Sequence, residues 1–210
     1  MRNKRGALLL KIGLLLLAAA LFLTVYNLYD GWRAQRSAGQ ALQQLATLLP
    51  AFETVPSGAS EPPPAGETEI PDYVLNPDME MPVQTIDGED YVAILQIPAL
   101  GLELPVINQW SYPRLKTAPC RYCGSAYSNN LVIAAHNYPS HFGALKDLQT
   151  GDEVVLTDMD GNVFLYLVSL TEVLNPDDVD GMTDGWDLTL FTCAIGGQFR
   201  VAVRCTLKSA

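Results

Sequence analysis

Three side chains able to break and form acyl bonds occur at the ends of apolar runs in this sequence. Cys193 follows the run Leu188–Thr192 and opens a glycine-containing loop, where a thiol is accessible for attack. His136 follows the run Leu131–Ala135, and Arg200 begins the last apolar run. A cysteine that attacks a carbonyl needs an imidazole to supply the leaving-group proton and a positive or hydrogen-bonding group for the oxyanion. The three residues therefore suit nucleophilic acyl transfer.

Each of these residues alone has a more ordinary interpretation. A single cysteine is more often a buried structural residue, a single histidine is more often structural or simply exposed, and an arginine at the start of a strand is usually a solvated edge charge. The combination is more informative, because only two histidines, His136 and His141, are available to assist a thiol.

A second pair of thiols, Cys120 and Cys123, forms a CxxC sequence between Pro119 and Gly124. Outside the cytoplasm this spacing is compatible with a small-loop disulfide, a thiol-exchange site or half of a metal site. A redox CxxC usually opens a helix, whereas this one is bounded by turn residues. We therefore expect a loop disulfide between Cys120 and Cys123, or two idle thiols, in preference to redox chemistry. One CxxC and two histidines do not make a four-ligand zinc pattern, so no metal site is expected.

The elements that must position these residues are short apolar runs separated by turn residues. They are rich in Val, Ile, Leu and Tyr, which is typical of strands. The predicted strands are Tyr91–Ile97, Leu102–Val106, Asn130–Ala135, Glu153–Thr157, Val163–Val168, Leu188–Thr192 and Arg200–Leu207, and Tyr138–Leu148 is the one helical candidate between them. About seven or eight strands with one or two short helices indicate a mostly β fold, a small closed barrel, with a sandwich as the alternative.

The first 29 residues have the pattern of a basic cytoplasmic tail and a transmembrane helix. Residues 12–28 carry no charge and are rich in Leu and Ala. Together with Gly6–Leu10, and with Lys11 able to snorkel, they can cross roughly 30 Å of hydrocarbon. Aromatic residues follow the run, which favours an uncleaved anchor over a signal peptide. Basic residues before the span predict that the N-terminus lies inside and the remainder outside.

Two segments separate this span from the strands. We predict a juxtamembrane helix at residues 30–52, with apolar positions at helical spacing, that either packs on the domain or spaces it from the membrane. Residues 53–86 are predicted to be a linker, because eight of the fourteen prolines lie between Pro50 and Pro82 among acidic residues. This linker is expected to hold the domain at residues 87–210 away from the membrane surface.

The charge distribution argues against nucleic-acid binding. No Lys or Arg lies between Arg36 and Arg114, and the chain from Ser37 onward has 7 basic and 22 acidic residues. Such an acidic body repels phosphate backbones. The sequence also lacks a phosphate-binding glycine loop and a dinucleotide fingerprint, and no cofactor is expected.

Three of the runs resemble the catalytic motifs of the sortases, the cysteine transpeptidases of Gram-positive cell surfaces. These runs are residues 131–137, 188–193 and 200–204, and residues 142–145 and 151–154 match the family's usual spacing between the first two. The resemblance covers residues 88–208, and the basic-then-apolar N-terminus fits the family's membrane anchor. It implies a sortase-like barrel.

The resemblance also implies a role for each candidate residue. Cys193 is similar to the nucleophile that attacks a sorting-motif peptide bond, and His136 to the acid/base that protonates the departing amine and deprotonates the incoming one. Arg200 resembles the residue that steadies the substrate carbonyl and the oxyanion, with Arg204 as the alternative on the same face of the strand. The implied substrate-binding positions are Thr192, beside the nucleophile, and Ala135 and Asn137, which flank the histidine.

The implied activity is cleavage of a surface-protein sorting motif through a thioacyl intermediate, with transfer to an amine. The expected partners are the sorting-motif peptide, an amine nucleophile from a cell-wall precursor or a pilin, and the membrane. Two other classes stay open, namely an extracytoplasmic thiol–disulfide exchange protein that uses Cys120 and Cys123, and a non-catalytic surface-binding module. Many relatives have glycine where this chain has Ala135, and the loop from Cys193 to Arg200 is short, so the sorting motif is not implied.

Overall fold

The strands of this protein pair edge to edge and close on themselves. The computed structural model describes residues 4–48, 70–183, 185–194 and 196–208. The strands are β1 (Gln84–Ile86), β2 (Glu89–Ile97), β3 (Leu102–Ile107), β4 (Cys120–Cys123), β5 (Leu131–Ala134), β6 (Glu153–Asp158), β7 (Val163–Leu174), β8 (Leu188–Cys193) and β9 (Arg200–Leu207). The helices are α1 (Lys4–Leu48), α2 (Asp72–Leu75), α3 (Tyr112–Leu115) and α4 (Val179–Thr183), with 3₁₀ turns at Pro98–Leu100 and Leu145–Asp147.

Eight of the described strands form a closed barrel in the order β2-β3-β4-β5-β8-β9-β7-β6. An antiparallel pairing of β6 with β2, in which Leu95 faces Leu156, completes the circle. Strand β1 extends the sheet as a hairpin on β2. The pairings of β3 with β4 and of β5 with β8 are parallel. This closure confirms the predicted barrel and excludes the sandwich.

Alternation along the strands explains where the core lies. In β7, Phe164, Tyr166 and Val168 are buried while the residues between them are partly exposed, as expected for one strand face that points into a core. The same aliphatic and aromatic residues that favour strands therefore fill the barrel.

The structure contains strand where the sequence pattern predicted loop. Cys120–Cys123 is strand β4, because β3 and β5 pair with it from both sides despite its polar middle. Strand β7 continues past the predicted end at Val168 to Leu174, since a bulge lets it keep pairing with β9 through polar residues. Only a 3₁₀ turn forms within the predicted helix at Tyr138–Leu148.

Helix α1 continues from the apolar segment onto the barrel. Its part from Leu8 onward is long and apolar enough to cross a membrane, with mean hydropathy 2.6 in its most apolar window. Its C-terminal half buries a stripe at helical spacing, formed by Ala34, Ala38, Ala41 and Leu45. This stripe contacts β3 and β1. Of the two expectations for the juxtamembrane helix, packing on the domain is the one observed.

The globular region begins earlier than predicted. Residues 49–69, which include the end of the predicted juxtamembrane helix and the first half of the predicted linker, lie outside the described residues. From residue 70 the chain packs on the barrel, where the ring of Tyr73 stacks on Tyr127 with centroids 4.6 Å apart and Met81 is buried. Within the described residues, the chain is therefore already packed on the barrel ahead of residue 87, because aromatic contacts hold a segment whose prolines had indicated a linker.

Leu45 tests the docking of α1. We expect Leu45→Ala to cost about 2–5 kcal/mol of docking free energy, because the side chain is fully buried. Hydrogen exchange of the amides at residues 38–47, in the full chain in detergent, measures the loss. Leu48→Ala is the matched control, since Leu48 is 53% exposed. Equal exchange in the two variants would contradict the docking.

Candidate active site

The register of three neighbouring strands brings the predicted catalytic residues together. Ala134 of β5 pairs with Phe191 of β8 in parallel, and His136 and Cys193 each lie two residues further along. Adjacent strands are about 4.8 Å apart, so these two residues lie at neighbouring strand ends. Arg200 is the direct partner of Cys193 across β8 and β9. Cys193 and Arg200, as direct cross-strand partners, share one face of this sheet segment. His136 lies two residues beyond the end of β5, and of the three residues only Cys193 lines the cleft described below.

Thr192 and Ala135 tie these strand ends together. The Thr192 hydroxyl donates a hydrogen bond of 2.8 Å to the Ala135 carbonyl, and the Ala135 N–H donates to the Phe191 carbonyl at 3.2 Å. Both residues are buried. These contacts continue the pairing of β5 and β8 up to the site, and they fix His136 relative to Cys193.

Two glycines shape the short loop between Cys193 and Arg200. Gly196 and Gly197 have φ values of 88° and 73°, in the left-handed region that glycine adopts without strain. The Ala194 N–H donates to the Phe199 carbonyl at 2.9 Å and closes the turn. This tight return places Arg200 opposite the thiol.

The two arginines of β9 have different environments. Arg204 is 1% exposed, and its guanidinium donates to the Glu172 carboxylate at 2.7 Å and to the Thr189 hydroxyl at 3.0 Å. It also donates to the carbonyls of Gly181 and Met182, which joins α4 to the barrel. Arg200 is only half-buried, and it donates to two loop carbonyls at 3.2 and 3.3 Å. The geometry therefore favours Arg200 over Arg204 as the arginine that is accessible beside Cys193.

A cleft of about 510 Å³ opens at the half-buried Cys193 thiol. Its walls come from the strand ends and from the loop after His136, and its lining residues are Asn137, Pro139, Phe142, Gly143, Ala144, Lys146, Asp147, Thr192, Cys193, Ala194 and Val201. Of the three predicted substrate-binding residues, Asn137 and Thr192 line this cleft, whereas Ala135 lies buried behind it. A cleft of this size suits a short peptide segment.

Close backbone packing shapes the loop after His136. A Cβ atom at Gly143 would lie 2.8 Å from the carbonyl oxygens of both Asn137 and Tyr138. The Phe142 N–H donates to the His136 carbonyl at 3.1 Å. Glycine at position 143 therefore lets the loop fold back on itself beside the imidazole.

The imidazole of His136 is half-buried, and within the described residues its Nε2 has no hydrogen-bond partner. Burial lowers the pKa of His136, the positive charge of Lys116 lowers it further, and Asp30 raises it. The Tyr138 ring lies beside it, with centroids 5.0 Å apart. A neutral imidazole is thus the dominant form near pH 7, and a substrate that brings an acceptor or donor to Nε2 would complete its hydrogen bonding.

His141, the other histidine, is fully buried. Burial, with a smaller effect of His136, lowers its pKa to about 4. Its position inside the loop makes it a packing residue.

The CxxC thiols are both free, which corresponds to the second of the two alternatives, two idle thiols, and not to the loop disulfide. Residues three apart along a strand are about 10 Å apart, beyond the roughly 7 Å that a disulfide can bridge. Burial raises the pKa of Cys120 to about 12 and also raises that of Cys123. Because the thiolate is the reactive form, this environment disfavours thiol exchange.

Sequence reasoning missed three residues near His136, namely Asp30, Lys116 and Tyr138. Tyr138 donates a hydrogen bond of 2.7 Å to the Asp30 carboxylate on α1. The sequence carried one signal that could have drawn attention to Asp30: it is the sole acidic residue among the first 52, and it directly follows the apolar segment.

Comparisons with known proteins agree with this architecture. A family model described as the Sortase domain matches residues 95–208, more than half of the chain. A Clostridium perfringens Sortase D5 transpeptidase is 24% identical with TM-score 0.53, over 60% of this chain and 83% of that one. Sortase A from Corynebacterium diphtheriae is 20% identical with TM-score 0.53, over 58% and 62% of the two chains. Sortase C from Streptococcus pneumoniae is 22% identical with TM-score 0.51, over 57% and 70%.

At these identities the structural neighbours establish the shared fold alone. No curated protein sequence matches the chain.

The two β9 arginines give a paired prediction. Arg204→Ala should lower the free energy of unfolding by about 2–4 kcal/mol, because it leaves Glu172 and two carbonyls without their donor. Arg200→Ala should change it by less than about 0.5 kcal/mol, since Arg200 bonds only solvent-accessible loop carbonyls. Urea denaturation measures both. A larger loss at Arg200 would contradict the assignment of Arg204 as the structural arginine.

His141 gives a pH-dependent prediction. Its pKa falls from 6.5 in the unfolded chain to about 4 in the folded protein, so the unfolded state binds more protons between these values. Its contribution to stability is therefore intact above pH 6.5 and is lost progressively as the pH falls to 4, by about 3 kcal/mol. Urea denaturation across this range should show a shallower pH dependence in His141→Phe. Parallel curves for the two proteins would contradict the prediction.

Proposed function

The chain belongs to the sortase family, and from this membership we propose that it is a membrane-anchored cysteine transpeptidase whose catalytic residues are Cys193, His136 and Arg200. The observation that carries the proposal is their register: Cys193 directly faces Arg200 and lies one strand from His136. The thiol also opens into a cleft large enough for a peptide. Thr192 and Asn137 contact the substrate from the walls of this cleft, and Ala135 acts through its backbone.

The first half of the reaction forms a thioester. The Cys193 thiolate attacks the carbonyl carbon of the scissile peptide bond, and the carbonyl oxygen becomes an oxyanion. The His136 imidazolium then donates its proton to the departing amine as the C–N bond breaks. The acyl group is left on the Cys193 sulfur, and the C-terminal peptide fragment leaves as a free amine.

The second half of the reaction reverses these roles. An incoming primary amine attacks the thioester carbonyl, and neutral His136 takes a proton from it. The C–S bond breaks, which returns the thiolate of Cys193 and the imidazolium of His136 together with a new amide.

Arg200 stabilises the oxyanion in both halves. The backbone N–H of Ala194, next to the nucleophile, already donates to Phe199. The guanidinium of Arg200 donates only to two loop carbonyls, and it exchanges these contacts for the substrate oxygen. A charged donor aimed at developing negative charge is worth more in the transition state than in the ground state.

Protonation sets the pH dependence. A free thiol ionises at about pH 8.5 and a free imidazole at about 6.5. Because burial lowers the pKa of His136, its imidazolium form, which the first half of the reaction requires, is a minority near neutral pH. Turnover should therefore be slow with a bell-shaped pH profile, and a profile that is flat from pH 5 to 10 would contradict this protonation scheme.

The substrate is a sorting-motif peptide of a surface protein, and the acceptor is an amine of a cell-wall precursor or of a pilin. The Streptococcus pneumoniae Sortase C, which shares this fold, is described with pilin substrate specificity. Helix α1 anchors the enzyme, with its basic N-terminus inside and the barrel outside.

Peptide cleavage tests this function. The full chain in detergent receives libraries of quenched Leu-Pro-x-Thr-x and Asn-Pro-x-Thr-x peptides with a primary amine. Wild type should cleave a subset and yield the amine-trapped product. Cys193→Ala should abolish turnover, and Arg200→Ala should lower kcat by about 10²–10³. The product is identified by mass spectrometry.

Cys123→Ala is the matched control, because Cys123 is also a half-buried free thiol but lies outside the cleft. It should retain wild-type turnover. Equal activity of wild type and Cys193→Ala would reject the proposal. Loss of activity in Cys123→Ala alone would favour the thiol-exchange protein. A folded chain that cleaves no peptide and whose Cys193 resists thiol-directed reagents would favour the binding module.

A further inference from the structure

We propose that the anchor helix α1 is itself part of the catalytic site, because Asp30 acts through Tyr138 as a positioning residue for His136. This inference rests on the proposed function. It assigns a role in catalysis to Asp30, which directly follows the membrane segment. In the sequence, Asp30 precedes His136 by 106 positions.

Tyr138 connects the helix to the imidazole. Its hydroxyl donates to Asp30 Oδ2 at 2.7 Å, and its ring centroid lies 5.0 Å from that of His136 with the planes inclined by 36°. The same ring centroid lies 5.6 Å from that of the buried His141. The Tyr138 ring therefore contacts both imidazoles, and its hydroxyl is fixed by the helix.

The Asp30 carboxylate is well placed to hold this hydroxyl. Its side chain is only 15% exposed, and Arg33, one helical turn further on, donates to its other oxygen at 3.2 Å. The hydrogen bond from Tyr138 lowers the pKa of Asp30, so the carboxylate stays charged. Burial, together with Asp30, raises the pKa of Tyr138 to about 12, so the phenol remains a donor. Charge-assisted hydrogen bonds of this kind are shorter and stronger than neutral ones.

The docked half of α1 fixes Asp30 in place. Ala34 and Ala38 are buried in the next two turns, and these small side chains let the helix backbone approach the barrel closely. The packed helix thus fixes the position of Asp30, as a mobile surface loop would not.

Besides the neutral phenol of Tyr138, the titratable groups that act on His136 from the elements packed against it are Asp30, Lys116 and His141. Asp30 on α1 favours the imidazolium form and Lys116 after α3 opposes it. Arg33 neutralises part of the Asp30 charge, and His141 is neutral near pH 7. Asp30 therefore has two effects on His136: it orients the ring through Tyr138, and it favours the protonated form that donates to the leaving amine.

The test uses the full chain in detergent with the peptide and amine that the cleavage assay selects. Asp30→Ala and Tyr138→Phe each remove one end of the hydrogen bond, and each should lower kcat about tenfold with KM changed less than about twofold. The double variant should be no slower than the slower single variant, because both remove the same interaction.

The pH profile separates orientation from charge. Asp30→Asn keeps an oxygen that can accept from Tyr138 but removes the negative charge. It should shift the acidic limb of the kcat profile to lower pH, because the pKa of His136 falls, with a smaller loss of kcat than Asp30→Ala. Tyr138→Phe retains the charge, so its acidic limb should move less than that of Asp30→Asn.

Gln44→Ala is the matched control. Gln44 Nε2 donates to Asp87 at 3.5 Å, which is another polar contact between α1 and the barrel. Gln44 lies about 21 Å further along the helix axis than Asp30. It should leave kcat, KM and the pH profile unchanged.

The outcomes are distinguishable. Wild-type kcat and pH profile in Asp30→Ala and Tyr138→Phe, with Cys193→Ala inactive, would overturn this inference and leave the proposed function standing. If the losses of kcat add in the double variant, the two residues act independently and the inference is overturned. If the same loss of kcat occurs in Gln44→Ala and follows a lowered melting temperature, the contact is merely structural and the inference is overturned as well. Turnover that survives Cys193→Ala would overturn the proposed function, and the inference with it.

Discussion

The parallel pairing of β5 with β8 is the constraint on which the rest of the site depends. Parallel strands end at the same edge of a sheet, so His136 and Cys193 arrive together without help from a long loop. A slip of one residue would turn one of them to the opposite face. The buried hydrogen bond from Thr192 to Ala135 opposes such a slip at the end of the pairing. The two-glycine turn then adds Arg200 by returning the chain along the neighbouring strand.

Local sequence pattern predicted those parts of the fold that depend on local residues. Runs such as Leu188–Thr192 alternate or cluster aliphatic residues strongly enough to define a strand, and turn residues delimit them. The sequence did not reveal β4, because its residues are strand only by virtue of neighbours on both sides. For the same reason the sequence left a loop disulfide and two idle thiols both open at the CxxC, and the extended strand leaves the thiols free. The docking of α1 was likewise left open, because four small or apolar residues on a helix do not specify which surface covers them.

Burial separates residues that look equivalent in the sequence. Arg200 and Arg204 share a face of β9, yet one bonds solvent-accessible carbonyls and the other is enclosed by Glu172 and α4. His136 and His141 are five residues apart, yet only the first lies at a strand end. In both pairs the sequence supplied the residue type, and the fold decided which copy remains available for chemistry. Asp30 differs from these pairs, because no local motif marks it in the sequence. It becomes a partner of Tyr138 only because the fold brings two distant segments into contact.

The continuity of α1 has a mechanical consequence. The described helix runs unbroken from Lys4 to Leu48, about 68 Å, and its last turns are packed on the barrel. When a helix without a hinge tilts in the bilayer, a barrel that is packed on its end turns by the same angle. Transmembrane helices tilt to match the thickness of the bilayer. In the proposed topology Asp30 follows the span directly, which sets the His136 loop close to the membrane surface and not at the distance that the linker was expected to provide. In that topology, bilayer thickness sets the angle at which the cleft meets the lipid surface.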